Sequence, residues 1–131
     1  MKLQTATRLG LYATLELARD PQRTLSAADL ADRFGVSTHH LAKVLRTLAT
    51  AGLVQGGRGA AGGYRFIGNR RRTTLMDIVA LFEPVPGSRA KEPGEETAIG
   101  SALQRVLTEI DEIAEATLRS VSLETMLKHL P

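Results

Sequence analysis

Apolar side chains recur at helical spacing near the start of the chain and predict two helices. The run that begins at Thr5 predicts one helix, which Asp20 and Pro21 end because proline cannot continue a helix. Ser26, followed three residues later by Asp29, has the arrangement of a capping box and predicts the start of a second, short helix. The predicted inner face of this second helix consists of Leu30, Ala31 and Phe34.

A glycine turn separates the second helix from a third. Gly35 ends the second helix, Val36 places an apolar side chain beneath the turn, and Ser37 can cap the next helix. The apolar positions of the third helix follow the i, i+3, i+4, i+7 pattern: Leu41, Val44, Leu45 and Leu48. Gly52 is the predicted C-terminal cap of this helix. Two short helices joined by a glycine turn are typical of a helix-turn-helix.

Two short strand-like segments follow, at residues 53–55 and 64–67, and predict a β-hairpin around a glycine-rich loop. Thr74 then caps a further helix over residues 75–82, because Glu83 and the proline after it end the pattern. The hairpin therefore lies between two helical regions.

The last third of the chain begins with a segment rich in proline, glycine and charge, residues 84–96, which predicts a connecting loop. From Thr97 the pattern predicts one long helix with a wide apolar stripe that runs from Ile99 to Val121. A short helix ends the chain. The stripe is too long for a domain of this size to cover, so we expect two copies of the chain to pair through it.

Composition excludes several classes of site. The chain has 131 residues and no cysteine, which excludes disulfides, thiolate metal sites and cysteine nucleophiles. It has no apolar run long enough for a membrane span, and its N-terminus lacks the apolar segment of a signal peptide, so we expect a cytoplasmic protein with no membrane partner. Residues 1–72 hold 12 Lys and Arg against 4 Asp and Glu, while residues 73–131 hold 5 against 10. The basic half is where a polyanion is expected to bind.

The start of the third helix carries the polar side chains expected of a DNA-recognition helix. Thr38, His39, His40 and Lys43 can hydrogen-bond with base edges and phosphates in the major groove. The alternative is an ordinary helical hairpin within a larger core. The two adjacent histidines point about 100° apart on a helix, so they do not form a metal site as an i, i+4 pair can. We therefore predict DNA contacts at these four positions and no metal.

The glycine-rich loop has the G-x-G-x-x-G spacing of a dinucleotide-binding turn, at Gly57, Gly59 and Gly62. Such a turn needs a helix that opens at the last glycine, whereas a strand-like segment follows here. After a helix-turn-helix, a hairpin tip with a central arginine instead predicts a wing in which Arg58 enters the minor groove. The alternative is a solvated turn without a role.

Several segments of the chain resemble the Rrf2 family of bacterial winged-helix regulators. The resemblance rests on LADRFGVSTHHLAKVLRTLATAGLV, GGRGAAGGYRF, TTLMDIVALFEP and SLETML, and it covers nearly the whole chain. The most specific element is the wing pattern Arg-Gly-x-x-Gly-Gly-Tyr, which implies DNA-binding roles for Arg58, Gly59 and Tyr64. The resemblance implies a mainly α fold, with a winged helix-turn-helix DNA-binding domain at residues 1–83, a connecting or sensor loop at 84–96, and a dimerisation helix with a short helix at 97–131.

The chain departs from the cluster-binding members of that family. Their three cysteines correspond to positions near Ala90, Glu95 and Ser101, and a carboxylate that some members place on the first helix corresponds to a position near Arg8. None of these residues is a usual iron ligand of such a cluster. We therefore expect a regulator without a cofactor, whose effector, if it has one, is an unknown small molecule.

The sequence thus predicts a homodimeric regulator that binds a double-stranded DNA operator, most simply as a repressor, and that has no catalytic activity. One alternative is a winged-helix module that binds a partner protein. Another is a small enzyme or nucleotide-binding protein, for which the G-x-G-x-x-G spacing is the only support in the sequence.

Overall fold

The computed structural model describes residues 2–57, 62–84 and 89–131. These residues form a mainly α fold with a small antiparallel hairpin, as predicted. The elements are α1 (Thr5–Ala18), α2 (Ala27–Phe34), α3 (Thr38–Thr50), β1 (Val54–Gly56), β2 (Tyr64–Phe66), α4 (Leu75–Phe82), α5 (Ala98–Ser120) and α6 (Leu123–Lys128). Every helix in these ranges is too short or too polar to span a bilayer.

Side-chain caps begin the helices where the sequence predicts them. The Ser26 hydroxyl accepts a hydrogen bond from the Asp29 backbone N–H at 3.0 Å, and the Asp29 carboxylate accepts one from the Ser26 N–H at 3.0 Å. Thr74 and Asp77 form the same reciprocal pair at the start of α4. Ser37 caps α3 by accepting a hydrogen bond from the backbone N–H three residues later, at 3.1 Å. Each cap satisfies a backbone donor that the helix itself leaves unpaired.

The turn between α2 and α3 has the predicted geometry. Gly35 has a φ of 66°, in the left-handed region that favours glycine. The N–H of Val36 donates to the carbonyl of Ala31 at 3.0 Å, which closes the turn. Ala31 is buried, so its small side chain lies where the two helices approach. The prediction of a helix-turn-helix is confirmed.

Helices α1, α2, α3 and α4, the hairpin and the C-terminal helix α6 all contribute side chains to one hydrophobic core. Leu17 of α1, Leu45 of α3, Ile78 of α4 and Leu123 of α6 are all fully buried in it. The chain returns from α5 to this core through a short antiparallel bridge between Thr74 and Ser122. The last helix therefore packs against α1, although the two helices lie far apart in the sequence.

The hairpin pairs β1 with β2 in the register Val54↔Phe66, Gln55↔Arg65 and Gly56↔Tyr64. β1 begins one residue later than predicted and includes Gly56, while β2 ends at Phe66 instead of Ile67. Tyr64 also exchanges backbone hydrogen bonds with Leu25, at 2.9 and 2.7 Å. No local sequence pattern predicts this bridge, which attaches the hairpin to the connection between α1 and α2.

Candidate nucleic-acid interface

Helix α3 presents an apolar face to the core and a polar face to solvent. Its four predicted inner residues are buried. Its exposed side chains include a row at i, i+4, i+7 and i+11, which all lie on one face of a helix. This row consists of His39, Lys43, Arg46 and Thr50. We call it the outer face of α3.

Two of the predicted contact residues, His39 and Lys43, lie on the outer face of α3, and a third, Thr38, is exposed beside it. His40 is half-buried, and its backbone N–H donates to the Ser37 cap. Arg46 lies on the same face but was not predicted, because the polar pattern typical of a recognition helix is read from its first turns. Arg46 can be identified from the sequence by its position three residues after Lys43, because this spacing places both side chains on one face of the helix.

The outer face carries positive charge that the protein does not neutralise. No residue of α3 is acidic. In the part of the chain that the structure describes, no carboxylate forms an ion pair with Lys43 or Arg46. Uncompensated ammonium and guanidinium groups on a helix that fits the major groove favour binding to a polyanion.

Other basic residues of the N-terminal half are paired within the protein. Three arginines, two from the segment between α1 and α2 and one from α2, surround the carboxylate of Glu16. Their guanidinium nitrogens lie 3.5, 3.2 and 2.8 Å from its oxygens, for Arg19, Arg23 and Arg33 respectively. These contacts tie α1 to α2, so this cluster contributes less free charge than the sequence indicates.

Two of the three consecutive arginines after the hairpin also make contacts inside the chain. Arg70 donates to the carbonyl of Ala18 at 3.2 Å, at the end of α1. Arg71 lies 3.3 Å from the carboxylate of Glu124. Among the described residues, the Arg72 side chain has no hydrogen-bonding or ion-pair partner. A phosphate contact from this run is therefore best supported at Arg72.

The hairpin has one exposed cross-strand pair. Gln55 and Arg65 face each other in the ladder, and the Arg65 guanidinium donates to the Gln55 side-chain oxygen at 3.0 Å. Their neighbours Val54 and Phe66 are buried, so the hairpin has one inner and one outer side. The pairing depends on the register of the hairpin, so it was not predicted.

Of the three predicted hairpin residues, Tyr64 is the one that the structure describes. Tyr64 is half-buried, in the strand that bridges both Gly56 and Leu25, and its ring lies close to Gly56. Arg58 and Gly59 lie outside the described residues, so their predicted minor-groove contact rests on the sequence alone.

Helix α5 has an exposed apolar face. None of its residues is buried, although it is the longest helix among the described residues. Six of its large apolar side chains are 44% to 83% exposed and recur at heptad-like spacing: Ile99, Leu103, Val106, Leu107, Ile110 and Ile113. Exposed apolar surface of this extent and regularity is typical of a helix that packs against a partner.

The segment before α5 is held by ion pairs. Arg89 forms a two-pronged pair with Glu95, at 2.8 and 3.1 Å, and the Glu92 backbone N–H donates to the same carboxylate at 2.8 Å. These hydrogen bonds, first from Arg89 and then from Glu92, lower the pKa of Glu95 to about 2. An open groove of about 880 Å³ lies between this segment and the polar side of α5, beside Lys91, Arg105 and several carboxylates.

Comparison with known proteins identifies relatives over nearly the whole chain. The family model Rrf2, described as an iron-dependent transcriptional regulator, matches residues 3–129. BadM of Rhodopseudomonas palustris, whose name gives it a provisional role as an HTH-type transcriptional regulator, is 51% identical over 128 residues, which are 98% of this chain and 82% of BadM.

Solved structures share the fold. IscR of T. potens superposes with a TM-score of 0.76 at 29% identity, over 98% of this chain and 87% of that one. CymR (YrzC), the global cysteine regulator of B. subtilis, superposes with a TM-score of 0.74 at 28% identity, over 100% of this chain and 99% of that one.

The family description names iron, but the residues of this chain do not fit an iron-sulfur cluster. The sequence contains no cysteine to ligate one. Across residues 2–57, 62–84 and 89–131, no three His, Cys, Asp or Glu side chains are grouped to hold a metal ion. Of the three positions that correspond to cluster ligands, Ala90 and Ser101 lack a usual ligand, and Arg89 engages the carboxylate of Glu95.

The missing ligands do not change the assignment of the chain to a family. The family match runs through both the helix-turn-helix and α5, and the fold agrees along nearly the full length of IscR and CymR. The exposed, basic outer face of α3 lies on the helix that reads DNA in a helix-turn-helix. The chain therefore belongs to the Rrf2 family and is a DNA-binding transcriptional regulator.

Proposed function

We propose that the protein represses transcription by binding a double-stranded operator as a homodimer, with α3 in the major groove and the hairpin beside the minor groove, and that it does so without an iron-sulfur cluster. The observation that carries this proposal is the outer face of α3, where imidazole, ammonium and guanidinium groups lie together without a carboxylate on the helix. An α-helix fits the major groove, and its N-terminal residues come closest to the base edges.

The residues on α3 have different roles in this complex. Thr38, His39 and His40 lie in the first turn and contact base edges, so they select the sequence. Lys43 and Arg46 lie further along the helix and contact phosphates, which add affinity for every sequence. At the hairpin, Tyr64 holds the strands in place through its backbone bridges, while Arg58 and Gly59 contact the minor groove.

The partner of the apolar face of α5 is a second copy of the chain. Two such faces can pair across a two-fold axis because the same residues then meet on both sides. A dimer also places two copies of α3 at two half-sites, which gives a palindromic operator. The groove beside Lys91 and Arg105 is the proposed place for a small-molecule effector, because it lies next to this dimer helix.

The test starts with selection of bound fragments from a genomic DNA pool. Fluorescence anisotropy then measures the affinity of the wild type for the selected site and for an unrelated duplex over a salt titration. We expect Lys43→Ala to weaken both complexes alike and to reduce the salt slope by about one unit. We expect His39→Ala to weaken the selected site by about 1–3 kcal/mol and to relax base preference.

Two outcomes would contradict the proposal. A protein that forms no salt-sensitive DNA complex would instead be a protein-interaction module, in which α5 binds a different partner. A protein that takes up iron and sulfide in stoichiometric amounts under anaerobic conditions would contradict the cluster-free mode, for which we expect a colourless protein with unchanged DNA binding.

A further inference from the structure

The pair formed by Gln55 and Arg65 is an arginine oriented by a neutral partner. The Arg65 guanidinium donates from Nη2 to Oε1 of Gln55 at 3.0 Å, and both residues are exposed. Elsewhere in the described residues, Arg33, Arg71 and Arg89 are held by carboxylates. A carboxylate partner cancels the charge of a guanidinium, whereas an amide restricts its position and leaves the full positive charge.

The register of the hairpin explains why the two side chains meet. Gln55 and Arg65 are directly opposite in the antiparallel ladder, where side chains on one side of the sheet are in contact distance. The buried neighbours Val54 and Phe66 fix which side faces solvent, because a slip by one residue would expose both of them. The core of the protein therefore sets the outward direction of Arg65.

The position of the pair along the chain links it to the DNA-binding surface. β1 begins four residues after α3 ends at Thr50, and the N–H of Leu53 donates to the carbonyl of Leu48 at 3.1 Å, so the hairpin continues directly from α3. Gln55 precedes the glycine-rich loop and Arg65 follows it, so the pair lies on the two strands that flank this loop. It is thus an exposed cation beside the two segments that are proposed to enter the grooves.

We propose that Arg65 binds a phosphate of the DNA backbone and that Gln55 is a positioning residue that orients its guanidinium for this contact. A guanidinium has five N–H donors in a fixed plane, so one hydrogen bond to Gln55 leaves a pair of donors for two oxygens of one phosphate. This inference rests on the proposed binding of operator DNA, and it adds a contact that carries no base preference.

The experiment compares four hairpin variants of the full-length protein by anisotropy over a salt titration. Arg65→Gln removes the charge, and we expect about tenfold weaker binding to every duplex and a salt slope smaller by about 0.9. Gln55→Glu keeps Arg65 but gives it a carboxylate, and we expect a loss of the same kind. Arg65→Lys keeps the positive charge but replaces the planar guanidinium by a single ammonium group, so we expect an unchanged salt slope and a partial loss of affinity. Gln55→Ala removes the orienting oxygen, and we expect a loss of a few fold at an unchanged slope.

Arg119→Gln is the matched control, because it removes the same charge from an exposed position at the end of α5. We expect it to bind as the wild type does. Circular dichroism melting checks that each hairpin variant is folded. The proposal is overturned if Arg65→Gln keeps the affinity and slope of the wild type, or if Gln55→Glu does.

Different results would contradict the operator-binding proposal and the proposed phosphate contact of Arg65. If the wild type binds DNA and Lys43→Ala weakens it while Arg65→Gln does not, the operator-binding proposal stands and the phosphate contact is wrong. If the wild type forms no salt-sensitive complex at all, both proposals are wrong.

Discussion

Helices α3 and α5 are both amphipathic, but their apolar faces have different surroundings. Leu41, Leu45 and Leu48 of α3 are fully buried by other helices of the same chain. On α5, Ile99 is 83% exposed and Ile113 is 61% exposed. The periodicity of the two helices is similar, so the pattern of a helix predicts that its apolar face will be covered, but the partner depends on the rest of the fold.

Because of this difference, burial of the two apolar faces stabilises two different processes, folding and association. The apolar face of α3 contributes to folding of a single chain. Burial of the six exposed apolar side chains of α5 contributes on the order of 5–10 kcal/mol per chain, before the cost of association, only when a partner is present. The following substitutions test that division, in order of decreasing expected effect.

The largest effect is expected from a charge in the apolar face of α5. In the proposed two-fold interface, Ile110→Glu would place two carboxylates where removal from water without a partner is costly. We expect the dissociation constant of the dimer to rise about a thousandfold, a change of about 4 kcal/mol. Sedimentation velocity over a concentration series measures it. Thr108→Glu adds the same charge on the polar side, and a similar effect there would contradict the predicted interface.

A cavity in the shared core is expected to have the next largest effect. Leu123→Ala removes a fully buried side chain of α6, and we expect a loss of about 2–5 kcal/mol in the free energy of unfolding. Urea denaturation at fixed protein concentration measures it. The control is Leu130→Ala, because Leu130 is 41% exposed. Equal losses for the two variants would mean that α6 does not belong to the core.

A smaller effect is expected from the left-handed glycines in the two regions. Gly35 and Gly94 have φ values of 66° and 83°, and a Cβ at either position would meet open space. Alanine therefore introduces backbone strain alone, of about 1–2 kcal/mol. We expect Gly35→Ala to lower the unfolding free energy by about 1 kcal/mol, because the turn is part of the core unit. Gly94 lies in the connection before α5, which can relax, so we expect a smaller loss of unfolding free energy for Gly94→Ala. A loss as large as that of Gly35→Ala would show that this connection is part of the core unit.

The smallest effect concerns pH at the segment before α5. The contacts with Arg89 and Glu92 lower the pKa of Glu95 from 4.5 to about 2. Because the pKa is lower in the folded state, the stabilisation is complete above about pH 4.5 and is lost as the pH falls through about 2. We expect NMR titration to show an ionised Glu95 at about pH 3.5. In Arg89→Gln the midpoint should move back toward 4.5, and a wild-type midpoint near 4.5 would contradict the ion pair.

Local patterns predicted most of the elements and the exposed position of several proposed contact residues. Ser26, Ser37 and Thr74 each cap the helix that the sequence assigns to them, because a cap and its partner are only three residues apart. His39 and Lys43 were found for the same reason, since the row to which they belong repeats along one helix.

The features that the sequence did not predict depend on residues that are distant along the chain. The bridge between Leu25 and Tyr64 joins segments that no local pattern relates. The pairing of Arg71 with Glu124 depends on the return of α6 to the core.

The bridge between Thr74 and Ser122 fixes the C-terminal end of α5 next to the start of α4. The helix has 23 residues, so it is about 34 Å long, and its C-terminal end is joined to the segment that starts α4. A tilt of about 10° at the bridge moves the far end by about 6 Å, given that rise per residue. Conversely, a large displacement of the N-terminal end of α5, near Glu95, would correspond to a small rotation at the segment that follows Arg72. A rotation of α5 about this bridge would therefore displace its N-terminal end much further than the segment that starts α4.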